Sequence, residues 1–288
     1  MSVEKARQQQ KRRPNTKWKQ GKFATKGWLE SGQCGIFVTC NRNQESRCIS
    51  EMVDILSDDL EQHMPQPESD EKDGDLDDDI EAQIRKEVEE LQPKNSKAPF
   101  QAIRLEVPCV SFIRLDNSLD PVQIVRRLCS DAVQHPEKQR SRKIQRMTPV
   151  TLVRKVLGDG LKALAQEVLA PHFHAGGPPK KYAIRPTIRQ NADWHKDSVA
   201  KVVADVVGPN HPVDLKNYDV LILVEVMRNI CAMSVVGKDY DELKRYNLAE
   251  IYNPTPKPQI PQKRSQGELE TSKGDSSHSA SASTTKEE

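Results

Sequence analysis

The chain is 288 residues long, 35% hydrophobic and 30% charged, with a formal net charge of +2. That apolar content supports a core over one or two ordinary domains. No run of about 18 apolar residues marks a membrane-crossing helix, and the N-terminus lacks the apolar h-region of a secretory signal; a soluble intracellular protein with no membrane partner is expected. The near-neutral total hides segregation. Residues 1–27 carry nine Lys or Arg against one acid, residues 57–90 fifteen acids against three bases, and residues 91–250 twenty-five bases against seventeen acids. Blocks of opposite sign mark tails and loops that meet charged partners.

In chain order, residues 1–31, with KRRPNTKWKQGK, have almost no aliphatic side chains to offset the entropy of ordering. They are expected as a disordered basic arm, read as a nuclear localisation signal or a nonspecific grip on RNA phosphates. CGIFVTC, 34–40, is fit for a buried strand, and in ESRCISEMVDILSDDL the residues Cys48, Met52, Ile55 and Leu56 recur at helical spacing. PQPESDEKDGDLDDD belongs to an acidic insert of about residues 61–98 that reads as a long solvated loop. VSFIRL, 110–115, is a strand, and Asp120 before Pro121 starts a helix whose stripe is Val122, Val125, Leu128, Cys129 and Ala132.

RKIQRMTPV, 142–150, is a strand with a basic cluster, and LVRKVLGDGLKALAQEVL, 152–169, reads as one long helix with Val153, Val156, Leu157, Leu161, Leu164 and Val168 inward. In YAIRPTIRQ, 182–190, period two puts Tyr182, Ile184 and Ile188 on one strand face and Arg185, Thr187 and Arg189 on the other. DSVAKVVADVVG is a helix closed by Gly208, and the run Val220 to Val226 is apolar on both faces, as a covered central strand is. ICAMSVVG pairs beside it, and KDYDELKRYNL is a short amphipathic helix. The tail, 252–288, is rich in Pro, Ser, Thr and Lys and is expected to be disordered. This mixture of strands and helices argues an α+β fold in two modules, 32–117 and 118–251.

No catalytic constellation emerges. The cysteines Cys34, Cys40, Cys48, Cys109, Cys129 and Cys231 form no C-x-x-C pair and behave as small hydrophobes. His172 and His174, the close histidine pair, lack a third ligand at metal spacing. Lys155, Gly158 and Gly160 loosely match the basic-x-x-G-x-G loop that cradles the pyrophosphate of acetyl-CoA. Helical periodicity running through that segment, with no strand directly before the glycines, favours packed helix. By contrast Arg142, Lys143, Arg146, Lys180, Lys181, Arg185 and Arg189 gather in two strands and their leading loops. If those strands share a sheet edge, they form one cationic surface for phosphate oxygens. Aromatics are 5% of the chain, so stacking platforms are poorly supplied and a folded RNA read by shape and backbone is the expected ligand.

RMTPV, then YAIRPTIRQNADWHKDSVAKVVADVV, then VDLKNYDVLILVEVMRNICAMSVV resemble in order the three blocks of a THUMP domain. The run from CGIFVTCNRNQESRC to KDYDELKRYNL, about residues 32–250, resembles the eukaryotic THUMP-domain adaptors of tRNA N4-acetylcytidine formation. The resemblance implies an N-terminal ferredoxin-like module (32–117) followed by a THUMP α/β domain (118–251). It also implies a noncatalytic role without a cofactor: binding serine and leucine tRNAs and presenting them to a separate RNA cytidine acetyltransferase. That enzyme uses acetyl-CoA and ATP to modify the D-arm. Arg185 and Arg189 are then expected to grip phosphates near the acceptor end, with the other five basic residues extending the surface, in the nucleus or nucleolus and also in the cytoplasm. Where many THUMP domains carry Asn-Pro after VDL, this chain has Asn217-Tyr218. The competing expectations are a general RNA-binding or ribosome-assembly protein, and an acetyltransferase with Gly158 and Gly160 at its cofactor.

Overall fold

Apolar side chains at nearly every position of residues 34–40 and 220–227 demand strands covered on both sides. The computed structural model, which describes residues 25–63 and 99–255, builds one sheet around each. Most of the basic arm, the acidic insert from residue 64 to 98 and the tail beyond residue 255 lie outside the described residues. The first sheet contains β1 (Thr25–Lys26), β2 (Cys34–Cys40), β3 (Phe100–Arg104), β4 (Val110–Leu115) and β5 (Ile144–Val150), in the order β1-β3-β4-β2-β5. Helices α1 (Glu45–His63) and α2 (Pro121–Gln134) complete a β-α-β-β-α-β run from Cys34 to Val150, the ferredoxin-like arrangement. Asp120 caps α2 as its sequence predicts, its carboxylate accepting the N–H of Val122 at 2.8 Å with Pro121 in the first turn. The Arg127 guanidinium of α2 donates to the buried Asp59 of α1 and pins the two helices together.

The second sheet holds β6 (Leu152–Lys155), β7 (Tyr182–Arg189), β8 (Val220–Met227) and β9 (Ile230–Gly237), in the order β6-β9-β8-β7. Helix α3 (Gly160–Leu169) continues into a π-helical turn at Ala170–His174, and α4 (Lys196–Val207) is the crossover between the parallel strands β7 and β8. Short helices α5 (Asp239–Glu242) and α6 (Leu248–Tyr252) close the described chain, with a 3-10 turn at Lys244–Tyr246 between them.

Three expectations are corrected. The boundary at 117/118 cuts through the first sheet's unit, because α2 packs in that core and β5 pairs with β2 along Gly35–Cys40. Residues 25–31, expected in the disordered arm, include β1, parallel to β3, and the buried Leu29. The expected long helix is a strand, a turn and a shorter helix: Leu152–Lys155 pairs with Ile230–Met233, Gly158 takes φ +59°, and helix begins only at Gly160.

Alternation decides which faces meet. On β7, β8 and β9 the set Tyr182, Ile222, Val224, Val226, Cys231 and Met233 packs under α3 and α4. The opposite set turns toward the first sheet: Val153, Met227, Ile230 and Ala232 share a cluster with Phe37, Phe112 and Val150. Ala183, Leu221, Leu223 and Val236 join the α1–α2 core. The basic face of β7 therefore lies on the side of the junction between the two sheets.

Candidate nucleic-acid interface

The apolar face of β7 is taken by helices, with Ile184 and Ile188 against the α3–α4 cluster, so Arg185, Thr187 and Arg189 project toward the junction. Arg185 meets protein there. Its guanidinium lies 5.3 Å from the centroid of the Tyr240 ring and 3.5 Å from Asp241 Oδ1. Asp241 also receives the Tyr218 hydroxyl at 2.6 Å and Arg245 Nε at 2.9 Å. Burial pushes the Asp241 carboxyl up, but the Tyr218 and Arg245 hydrogen bonds and the Arg185 charge outweigh it and hold the carboxyl below its usual range. Burial and the bond to Asp241 together raise the Tyr218 phenol.

Farther along β7, Thr187 is in register with Glu225 of β8. Burial pushes the Glu225 carboxyl up to about 7, against the pull of the Arg189 charge, the Thr187 hydrogen bond and the Arg146 charge. Arg146 comes from the other sheet: it is exposed on β5 opposite Thr39, whose Oγ1 accepts the Arg146 N–H at 3.1 Å. The two arginine-bearing strands do not share a sheet edge, the condition under which the sequence made them one cationic surface; β5 ends one sheet and β7 the other. The charges of Arg146 and Arg189, one from each sheet, instead act across the junction on one carboxyl group, Glu225.

The other basic residues fall into two further groups. Arg142 and Lys143 stand at the head of β5, where Glu51 Oε2 accepts both backbone N–H groups, at 3.0 and 2.8 Å, and the Ser141 hydroxyl at 2.8 Å. That carboxylate shapes the loop while the Arg142 side chain stays exposed. Lys180 and Lys181 precede β7 and are separated from Arg189 by about 23 Å of strand, at roughly 3.3 Å per residue. Lys180 Nζ donates to His172 O at 2.9 Å, and Lys181 Nζ lies 3.4 Å from Asp214. The Asp214 carboxylate accepts the N–H groups of Lys216 and Asn217, at 3.0 and 2.8 Å, and these bonds hold its pKa below the usual range. Asp214 thus makes the turn of VDLKN in a chain with Asn217-Tyr218 in place of Asn-Pro.

Lys155, Gly158 and Gly160 do form a strand–turn–helix, which the expectation of continuous helix denied. Gly160 has a local cause, since a Cβ there would lie 1.9 Å from Lys155 O. Asp159 stands at the N-cap, where its charge opposes an incoming anion. Burial raises the thiols of Cys34, Cys40 and Cys48, and pushes those of Cys129 and Cys231 up to about 12. Among the described residues no group of three His, Cys, Asp or Glu is placed to hold a metal ion.

Sequence reasoning missed Glu225, Tyr240 and Asp241. For Glu225 the signal was present: it is the one charged residue within VLILVEVM. Tyr240 and Asp241 carried none, because their meeting with Arg185 is made by the path of the chain after β9.

Residues 159–236 match the family model described as the THUMP domain. An uncharacterized protein of Schizosaccharomyces pombe is 34% identical over 226 residues, 78% of this chain and 77% of that one. The tRNA acetyltransferase TAN1 of Saccharomyces cerevisiae is 30% identical over 254 residues, 78% of this chain and 87% of that protein. THUMP domain-containing protein 1 of Mus musculus is 31% identical over 236 residues, 77% of this chain and 65% of that one.

Proposed function

The chain belongs to the THUMP-domain family that includes the yeast protein named tRNA acetyltransferase TAN1, and on that premise we propose that it is a noncatalytic tRNA-binding adaptor. It presents serine and leucine tRNAs to a separate RNA cytidine acetyltransferase for N4-acetylcytidine formation in the D-arm. The observation that carries the reading is that Arg146 and Arg189, from two different sheets, both act on the Glu225 carboxyl at the junction. Cations fixed by two rigid sheets suit the phosphate backbone of a folded RNA, which needs charge at set spacing more than base-edge contacts. Residence in the nucleus or nucleolus belongs to the same proposal, and imaging the chain with and without residues 1–24 tests it.

The direct test incubates unmodified serine tRNA, acetyl-CoA and ATP with this chain, with the purified RNA acetyltransferase, and with both, and quantifies N4-acetylcytidine by mass spectrometry. Product requiring both proteins supports the adaptor. Product from this chain alone would make it an enzyme.

One observation favours that second reading: the strand–turn–helix at Lys155–Gly160 has the local form of a pyrophosphate loop. An acetyl-CoA site there requires the cofactor to raise the unfolding temperature by mass action. The adaptor reading expects no rise at millimolar acetyl-CoA, with Asp159 opposing the anion.

A further inference from the structure

Among the described residues Trp28 is the one exposed Phe, Tyr or Trp ring, 64% open to solvent. It is held in place. Leu29 beside it is buried between the sheets, and the Gly32 N–H donates to Val153 O at 2.9 Å. The Arg228 guanidinium lies 5.2 Å from the indole centroid and is itself fixed by Glu106 at 3.1 Å. Arg228 therefore covers one side of the ring and leaves the rest free.

The indole lines a cavity of about 640 Å³, within the range of roughly 300–1,000 Å³ in which small flat ligands are held. Leu29, Leu105, Val107 and Ile230 give it apolar walls, and Lys155 and Arg228 bring cations to it. It adjoins the Arg189 end of β7: the Arg228 N–H donates to Arg189 O at 3.1 Å, and Asn191 Nδ2 donates to Arg228 O at 2.7 Å. A ligand in the cavity thus lies at the end of β7 that carries Arg189.

We propose that this cavity receives one unpaired nucleobase of the bound RNA, stacked on Trp28 with its flanking phosphate toward Lys155. The proposal rests on the RNA-binding reading above. A base supplies flat π faces for the indole, ring edges for the polar residues Ser31 and Asn229 that also line the cavity, and an anion for the lysine. An apolar side chain of a protein would fill the walls but give the ammonium nothing.

The test measures the affinity of serine tRNA, and of a fully paired RNA duplex, over a series of salt concentrations for the whole chain and for Trp28→Ala and Trp28→Phe. Stacking on one base contributes about 5- to 150-fold, so Trp28→Ala should weaken tRNA binding by that factor. Trp28→Phe should keep most of the affinity. The slope of log affinity against log salt should not change, because the indole neutralises no phosphate, and the duplex should bind both proteins alike. Wild-type tRNA affinity in a Trp28→Ala protein with unaltered unfolding temperature would overturn the proposal, as would an equal loss on the duplex. Intact tRNA affinity with lost binding to the acetyltransferase would overturn it too, by giving the cavity to a protein. No tRNA binding by the wild-type chain would remove the RNA-binding reading itself, a different result from any of these.

Discussion

A carboxylate set among apolar strand neighbours is costly to ionise unless cations stand beside it. Glu225 has Arg189 and the Thr187 hydroxyl from β7, Arg146 from β5 and the Tyr240 phenol from α5 around it, and burial still raises its pKa to about 7. The folded state thus holds this proton through a window, from the ordinary 4.5 up to about 7, in which the unfolded chain has released it. Stability falls as pH rises through that window, by at most ~1.4 kcal/mol per pH unit. Glu225→Gln should flatten the decline and be the more stable protein at pH 7.5, measured by urea unfolding from pH 4.5 to 8. The same proton removes a negative charge from beside Arg146 and Arg189, so tRNA affinity should rise as pH falls from 8 to 6 in the wild type and stay level in the variant. A parallel pH response in both proteins would take Glu225 away from the two arginines. The alternation of Arg185, Thr187 and Arg189 was legible in the sequence because strand geometry alone sets it. What each arginine meets was not, since Arg185 is engaged by Tyr240 and Asp241 on a later helix and the charge of Arg189 acts on a carboxyl of the neighbouring strand.

Element by element, the sequence was readable where one pattern dominated. Strands β2, β4, β7, β8 and β9 and helices α1, α2 and α4 follow from apolar runs, strict alternation or a capped apolar stripe. It failed where two patterns overlapped. Val153, Val156, Leu157, Leu161, Leu164 and Val168 fit a helical period, yet the first of them lies in a four-residue strand paired to β9, and Leu157 is exposed. Short strands carry too few residues to reveal a period, and β1 has two. Gly160 marks the change from turn to helix: a Cβ would lie 1.9 Å from the Lys155 carbonyl oxygen, a backbone atom that cannot swing aside. Gly160→Ala should therefore destabilise the protein by about 1–3 kcal/mol, the usual cost of overpacking, seen as a lower urea midpoint with unchanged slope. A neutral or stabilising effect, the outcome expected of alanine for glycine inside a helix, would restore the continuous-helix reading.

At the scale of the molecule, the ferredoxin-like unit and the THUMP sheet share buried clusters, one of which takes residues from Cys34 through Ile251. A fragment of residues 118–251, cut at the boundary the sequence suggested, would carry β5 without β2 and α2 without α1. It should show no cooperative unfolding by circular dichroism, whereas residues 25–255 with the insert retained should unfold in one transition; a cooperative 118–251 fragment would contradict the shared core. The same joining of the two sheets brings the charges of Arg146 and Arg189 to bear on one carboxyl at the junction, and their pairing as an RNA contact is the central claim. Its most direct test is the salt dependence of serine tRNA affinity for the wild type, Arg146→Ala/Arg189→Ala and Arg185→Ala. Each phosphate contact contributes about 0.7–0.9 to the slope of log affinity against log salt. The double variant should therefore flatten the slope by about 1.4–1.8 units, while Arg185→Ala, whose charge is held by Asp241 and Tyr240, should leave it nearly unchanged. A double variant with the wild-type slope and intact folding, or a slope lost only on removing Arg185, would contradict the Arg146–Arg189 pair as the surface that meets RNA.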